Sequence, residues 1–281
     1  MKQVKNTKDI SWLQSNYLNE NVRIIDCRFK LGEPEYGKKA YKESHIPGAV
    51  YFDLEKDLSG EVKKHGGRHP LPNMDDFIRK LEQSGVDNDT TVVVYDDSEG
   101  AFAARCWWLL KYAGHNEAFV INGGYEGWKK QNLPVTSEII DFSSKKYHPN
   151  IQNEMIAAVD DVREISRKAL EGILIDSRAR ERYLGLAEPI DKIPGHIPGA
   201  VNHEWTEGLQ DGSFLPVEEQ QRRWEGLDRE KPLIVYCGSG VTAAPNILSL
   251  WEAGYQNAKL YPGSYSDWIS YEEHEVNKGE E

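Results

Sequence analysis

Cys237 stands where a short apolar run meets a loop of small residues. Leu233-Ile234-Val235-Tyr236 is followed by Cys237-Gly238-Ser239-Gly240-Val241-Thr242-Ala243 and then by a helix-length segment that stops at Gly254. A run of this length rich in Leu, Ile and Val reads as a strand buried on both faces. The loop after it has two glycines and no charge, so its backbone is free to curl until successive N–H groups point inward, with a helix start behind them. From Gly238 to Ala243 such a loop is a cradle for an anion. A thiol at its centre is biased toward thiolate, the form that attacks electrophiles. Cys237 is therefore read as a nucleophile. Cys27 and Cys106 sit inside apolar strand and helix patterns, where a free cysteine behaves as a small hydrophobe.

The chain carries a second copy of this arrangement without the thiol. Ile24-Ile25-Asp26-Cys27-Arg28 matches Leu174-Ile175-Asp176-Ser177-Arg178, and the hexapeptide from His45 to Val50 recurs letter for letter from His196 to Val201. Val93–Asp96 matches Ile234–Cys237, and Asn122–Trp128 matches Pro262–Trp268 more loosely. Four matches in one order, each 140 to 151 residues apart, indicate duplication of a whole domain; a solenoid would need shorter periods and more copies. Each half alternates strand-like runs (Thr91–Tyr95, Leu233–Tyr236) with helix-like segments (Asp75–Ser84, Ala101–Ala113, Thr242–Ala253) that stop at Gly85, Gly114 and Gly254. This alternation predicts an α/β fold, each half a mainly parallel sheet flanked by helices. The domains are placed at 1–139 and 154–281, joined by a polar linker at 140–153, with a charged, frayed tail from Tyr271. Chemistry in such sheets lies beyond the carboxyl ends of the strands. At that place the first copy has Asp96, followed by Asp97 and Glu99. Three acids spoil an anion cradle, so the first copy is read as catalytically inactive.

Composition narrows the function classes. The 281 residues hold 34 Lys and Arg against 46 Asp and Glu, a net charge of −12, which disfavours nucleic acid and anionic membrane surfaces as partners. No apolar run approaches the ~20 residues of a membrane span, and the N-terminus, MKQVKNTKDISW, lacks the apolar stretch of a secretory signal. Three cysteines with no CxxC spacing predict neither a disulfide framework nor a structural zinc site, and the expected compartment is the reducing cytoplasm. A cysteine phosphatase would need a loop arginine to hold a phosphate dianion; the loop has none, and the sixth residue after Cys237 is Ala243. A non-catalytic binding protein that keeps only the fold is the alternative from another class.

CGSGVTA after an apolar strand, the paired HIPGAV segments, DSRARERYLG and NGGYEGW together resemble the two-domain rhodanese-type sulfurtransferases over nearly the whole chain. The resemblance implies two tandem rhodanese-like domains and a ping-pong sulfur transfer: Cys237 takes the outer sulfur of a donor as a persulfide and passes it to a thiophilic acceptor such as cyanide, a small thiol or a thioredoxin-like protein. No metal or cofactor is implied. The neutral loop, with Ser239 able to hydrogen-bond the donor, resembles members that use 3-mercaptopyruvate, whereas thiosulfate-specialised members carry basic residues there. Arg182 matches the arginine that such enzymes aim at the donor's anionic group. Mercaptopyruvate enzymes commonly hold a second arginine nine residues later, where this chain has Asp191, and Tyr183-Leu184-Gly185 is more similar to the thiosulfate group. Activity with both donors is expected, with mercaptopyruvate preferred; a primarily thiosulfate:cyanide sulfurtransferase is the alternative.

The remaining candidates are weighed by the internal comparison. Arg178 has its twin Arg28 in the copy without chemistry, which favours a fold role, pairing with an acid near the HIPGAV turn, over substrate binding. His196, duplicated as His45, is read as structural; His45 stays a possible site residue, because the family sometimes places this histidine near the active loop. Trp107 and Trp108 are assigned to core or interface packing. Lys63, Lys64, His65, Arg68 and His69 read as a solvated loop able to attract an anionic donor.

Overall fold

The structure, a computed structural model, describes residues 5–97 and 99–281. In the first domain the elements run β1 (Thr7–Lys8), α1 (Ile10–Asn16), β2 (Val22–Asp26), α2 (Tyr36–Glu43), β3 (Ala49–Tyr51), α3 (Met74–Gln83), β4 (Thr91–Tyr95), α4 (Ala101–Tyr112), β5 (Ala118–Ile121) and α5 (Gly124–Lys130). The second continues with α6 (Val159–Ser166), β6 (Ile173–Asp176), α7 (Arg180–Tyr183), β7 (Ala200–Asn202), the hairpin β8 (Leu209–Gln210) and β9 (Ser213–Phe214), α8 (Val217–Arg223), β10 (Leu233–Tyr236), α9 (Ala243–Glu252), β11 (Ala258–Leu260) and α10 (Ser264–Trp268). The first sheet has the order β1-β5-β4-β2-β3 and the second β11-β10-β6-β7, with every pairing in both parallel. The central strands β4 and β10 are covered on both faces, which is why their sequences are unbroken apolar runs.

Duplication shows most clearly in a polar scaffold at the carboxyl end of each sheet. Asp26 accepts a forked pair of hydrogen bonds from Arg28, one of whose forking nitrogens, Nη2, also donates to the Ser44 carbonyl at 2.7 Å. Asp176 takes the same fork from Arg178, which donates to the Gly195 carbonyl at 2.6 Å. Each arginine lies over a tyrosine ring, Tyr125 or Tyr265. His45 stacks on Tyr41 and His196 on Tyr183, and each tyrosine hydroxyl donates to the first residue of the next strand, Ala49 or Ala200. Arg178 thus sits in the fold role its twin implied.

The two domains share one core. Helix α4 packs against α9, with Trp107 edge-on to Trp251 at 5.4 Å between ring centres, and the largest buried cluster runs from Val92 and Ile25 through α4 into Val235 and Cys237. Trp107 and Trp108 are fully buried in it. Glu252 of α9 clasps the other domain's first strand, accepting from the amides of Asn6 and Thr7 at 2.6 and 3.1 Å. Residues 137–152 form no helix or strand, but the connection is pinned: the amides of Asn150 and Gln152 donate to the Ala113 and Tyr112 carbonyls. No helix among the described residues is long and apolar enough to cross a membrane.

The tail departs from the expected fraying. Asn277 exchanges two backbone hydrogen bonds with His196, Gly279 donates to the Leu184 carbonyl, and Glu281 accepts from the Gly199 amide. His45 is bound in the same way by Thr136, so each HIPGAV turn needs an antiparallel bridge, and in the second domain only the tail supplies it. Composition spoke for solvent; backbone pairing decided otherwise.

Asp176 is fully buried, so truncating Arg178 leaves a carboxylate without its counter-charge. Arg178→Ala is expected to lower unfolding stability by about 3–5 kcal/mol in urea titration. A loss below about 1 kcal/mol would remove the fork from the essential scaffold.

Candidate active site

Cys237 lies at the end of β10 with 1 % of its surface exposed. Its amide donates to the Ser264 hydroxyl at 3.1 Å, and the Gly240 amide donates to its Sγ at 3.1 Å. Among the described residues that is the one backbone amide bonded to the sulfur, fewer than the full ring expected from Gly238 to Ala243. Two amides of α10, those of Tyr265 and Ser266, hold the Cys237 and Gly238 carbonyls at 3.0 Å and turn the loop's polarity inward. Gly240 adopts φ +78°, and a Cβ there would stand 2.3 Å from the Pro262 carbonyl oxygen. Only glycine satisfies both conditions.

The loop is fixed from the other domain. Arg105, on α4 and fully buried, donates to the Gly240 carbonyl at 3.1 Å and to the carbonyls of Leu58, His69 and Pro70 at 3.2–3.3 Å. Burial pulls its pKa down to about 10, with the charge of Cys237 acting in the opposite sense. Arg105 therefore joins the Cys237 loop to the segment that carries Arg68 and His69.

Lys63 and Lys64 of that segment are exposed, as expected of a solvated loop, but its end turns inward. Arg68 and His69 line a cavity of about 150 Å³ together with Arg182, Gly238 and Ser239, and Phe29, Leu54 and Phe102 form apolar walls from the first domain. His69 Nδ1 lies 2.8 Å from the Ser239 hydroxyl. Burial, with Arg105 and Arg68 adding to it, pulls the His69 pKa down to about 4, so the ring is neutral at ordinary pH. Burial pulls the Arg68 pKa down, with the charge of Cys237 acting in the opposite sense. A wider cleft of about 520 Å³, between Lys111 and Trp251 at the far ends of α4 and α9, has no cysteine in its walls.

The other expected residues fall into place or out of it. Val241 and Thr242 line the cavity, and Ala243 is buried at the start of α9. Arg182 lines the cavity too and is already partly engaged: its Nε donates to Glu188 at 3.1 Å and one terminal nitrogen to Asp191 at 2.8 Å. Arg178 donates to Asp176 and Glu188. His45 is not brought to the loop; its ring nitrogens face the Tyr41 and Glu138 carbonyls inside the first domain. Tertiary packing of the HIPGAV turn claims it, as it claims His196.

In the first domain the cradle exists and is filled. The Asp96 carboxylate accepts from the amides of Gly100, Phe102 and Ala103 at 2.9–3.1 Å. Burial lifts its pKa to about 6, although all three amides favour the anion. The acid does not spoil an anion site; it occupies one. Ser98 of this loop lies outside the described residues.

A family model for the rhodanese-like domain matches the chain twice, over residues 9–131 and 158–271. The chain belongs to the family of two-domain rhodanese-type sulfurtransferases. A probable 3-mercaptopyruvate sulfurtransferase of Pseudomonas aeruginosa is 41 % identical over 257 residues, 89 % of this chain and 90 % of that one. A putative thiosulfate sulfurtransferase of Mycobacterium tuberculosis, SseB, is 36 % identical over 92 % of this chain and 91 % of its own. Among solved structures, SseA from Escherichia coli, described as a 3-mercaptopyruvate sulfotransferase, superposes with a TM-score of 0.83 at 31 % identity, covering 94 % of this chain and all of that one.

Within this family fold, sequence reading missed Arg105 and Glu188 as parts of the site, placed His69 only in a loop able to attract the donor, and read Asp191 only as the absence of a second arginine. A basic residue beside a histidine in a segment otherwise rich in glycine was the signal for His69. Arg105 gave one too, as the single charge inside an otherwise apolar stretch of α4.

Two outcomes follow from this geometry. Gly240→Ala forces a left-handed φ and a backbone collision, and removing the amide from the sulfur is expected to slow sulfur loading about a hundredfold in single-turnover assays; loading at the wild-type rate would show that the amide is dispensable. For pH, His69, His115 and His203 each have a folded pKa near 4 against 6.5 in the unfolded chain, mainly through burial. Stability from these groups is full above about pH 6.5 and is lost as pH falls toward 4. Asp96, raised to about 6, has the opposite sign and favours the folded protein at low pH, as do Asp97 and Glu252, which burial also raises; His274, lowered by burial, joins the three histidines. The urea midpoint is expected to fall steadily between pH 7 and 4.5, with a shallower slope in His115→Gln; a midpoint that rises on acidification would contradict the assignment.

Proposed function

We propose that the protein moves a sulfane sulfur from 3-mercaptopyruvate or thiosulfate, through a persulfide on Cys237, to a thiophilic acceptor. One contrast carries the reading. The Cys237 sulfur takes an inward amide next to a small pocket lined by the following loop residues Gly238 and Ser239 and by two guanidiniums, while the equivalent cradle of the first domain is closed by its own carboxylate. The first domain is accordingly inactive in transfer and serves as one wall of the site.

The Cys237 thiolate attacks the donor's outer sulfur. With thiosulfate the S–S bond breaks and sulfite leaves with the electron pair. With mercaptopyruvate the C–S bond breaks, the pair goes to carbon, and the enolate of pyruvate takes up the proton given up by the donor's thiol. Neutral His69, hydrogen-bonded to Ser239 beside Cys237, is placed to accept that proton through the serine hydroxyl and return it. This relay has work to do only with mercaptopyruvate and supports that donor as the preferred one. Arg68 and Arg182 attract the donor's anionic end. In the second half-reaction cyanide, a small thiol or a thioredoxin-like protein takes the terminal sulfur and restores the thiolate. The three cysteines are all unpaired, in keeping with a reducing cytoplasm.

Treatment with either donor is expected to add one sulfur, about 32 Da, to the peptide containing Cys237 and none to those containing Cys27 or Cys106. Cyanide should then release thiocyanate, and Cys237→Ser should do neither. An unmodified Cys237 after donor treatment would end the proposal.

A further inference from the structure

The cations at the mouth of the pocket are not waiting for a substrate. Arg68, from the first domain, and Arg182, from the second, both press on Gly238: a Cβ there would stand 2.8 Å from a terminal nitrogen of Arg68 and 3.4 Å from one of Arg182. The two guanidiniums thus flank the residue after Cys237, where a donor's anionic end must lie if its sulfur is to reach the thiolate. Between them sits Asp191. One of its carboxylate oxygens accepts from Arg68 and the other from Arg182, the latter at 2.8 Å. Its side chain is 3 % exposed, whereas Arg68 is 33 % exposed, so the acid lies beneath the cations and the open side of the guanidiniums faces the cavity. Glu188 fixes it there, accepting from the Asp191 amide at 2.9 Å while holding Arg182 through both carboxylate oxygens.

We infer that Asp191 is a specificity-determining residue that sets how much negative charge the site accepts from its donor. The inference rests on the sulfur-transfer reading for the identity of the donors, but not for the binding it describes. With Asp191 and Glu188 counted against Arg68 and Arg182, the mouth carries no net charge, and an incoming anion meets two guanidiniums already engaged by a carboxylate. Repulsion from the fixed carboxylate scales with the charge on the ligand, so a dianion such as thiosulfate is disfavoured about twice as strongly, in free energy, as a monoanion such as mercaptopyruvate. The acid stands nine residues after Arg182 and thereby acts as a filter against thiosulfate. Its counterpart interaction in the first domain is absent: Arg68 has no twin near Asp96 among the described residues, so the filter belongs to the assembled pair of domains.

The test compares Asp191→Asn with Asp191→Glu and wild type, each checked for an unchanged thermal transition. Donor kcat/KM is measured for both donors by thiocyanate release, and binding of sulfate and pyruvate is measured by calorimetric titration without turnover. In Asp191→Asn, kcat/KM is expected to rise about tenfold for mercaptopyruvate and about a hundredfold for thiosulfate, through KM, with the sulfate-to-pyruvate affinity ratio rising about tenfold. Asp191→Glu, which keeps the charge, should hold the wild-type ratios and serves alone if the asparagine variant does not fold, since a shifted ratio there would overturn the proposal. An equal change for both charges, or weaker anion binding in Asp191→Asn, would overturn it as well and make Asp191 a prop for the arginines. Sulfate-to-pyruvate selectivity that moves as expected in a protein releasing no thiocyanate would sink the sulfur-transfer reading and leave the filter standing.

Discussion

A fully buried guanidinium with no carboxylate beside it holds this molecule's chemistry in place. Arg105 enters the domain interface on an apolar helix and meets only carbonyl oxygens: one from the loop that follows Cys237, three from the first-domain segment at Leu58 and at His69–Pro70. Burying such a charge is costly unless it is hydrogen-bonded, and its Nε finds no partner. The depressed pKa records that cost. What it secures is geometric. With positive φ at Gly240, that residue's carbonyl faces Arg105 while its amide faces the Cys237 sulfur. The same arginine fixes the segment bearing Arg68 and His69, so one side chain registers the two halves of the pocket against each other. A loop held from outside its own domain is preorganised in the sense that catalysis by fixed dipoles requires.

Duplication explains what the two domains share and what they have divided. Shared are the groups that make the fold: the buried Asp–Arg fork, the tyrosine over which the arginine lies, and the stacked Tyr–His pair under the HIPGAV turn. Divided is the occupant of the cradle. In one domain the cradle meets the Cys237 sulfur, through the Gly240 amide. In the other it meets a carboxylate attached to the chain, which takes three amides and competes with any free anion at effectively infinite local concentration. The pocket is then built across the boundary, with Cys237's loop and Arg182 from one copy and apolar wall, neutral histidine and Arg68 from the other.

Much of this was legible in residue order. The repeat, the parallel sheets, and the boundaries of strands such as Thr91–Tyr95 and Leu233–Tyr236 follow from apolar runs and glycine stops, which are local signals. Cys237 was legible because its loop chemistry is local as well. His69 and Ser239 are 170 residues apart in sequence, and no local pattern ties them. Asp191 illustrates the limit most sharply. Read along the chain it is an arginine that failed to appear; in space it is the partner of two arginines that are present. His45 erred in the other direction, because a titratable side chain in a suggestive motif turned out to be fully consumed by a turn and a stacked ring. The tail from Tyr271 was misjudged because charge density says nothing about which backbone groups still lack partners.

The division of labour between amides and guanidiniums at this site has a physical logic. A persulfide must be stabilised enough to form and exposed enough to be attacked. A guanidinium bonded directly to the terminal sulfur would stabilise it too well, because a desolvated ion pair deepens steeply as solvent is excluded. Amide dipoles supply partial charge in fixed directions without that depth. The arrangement follows this requirement: the neutral Gly240 amide touches the sulfur, while the full charges stand back at Gly238 and are themselves matched by Asp191 and Glu188. Net neutrality at the mouth matters in a chain of net charge −12, whose field repels anions at long range, because the last few ångströms of the approach are then governed by specific hydrogen bonds rather than by bulk attraction.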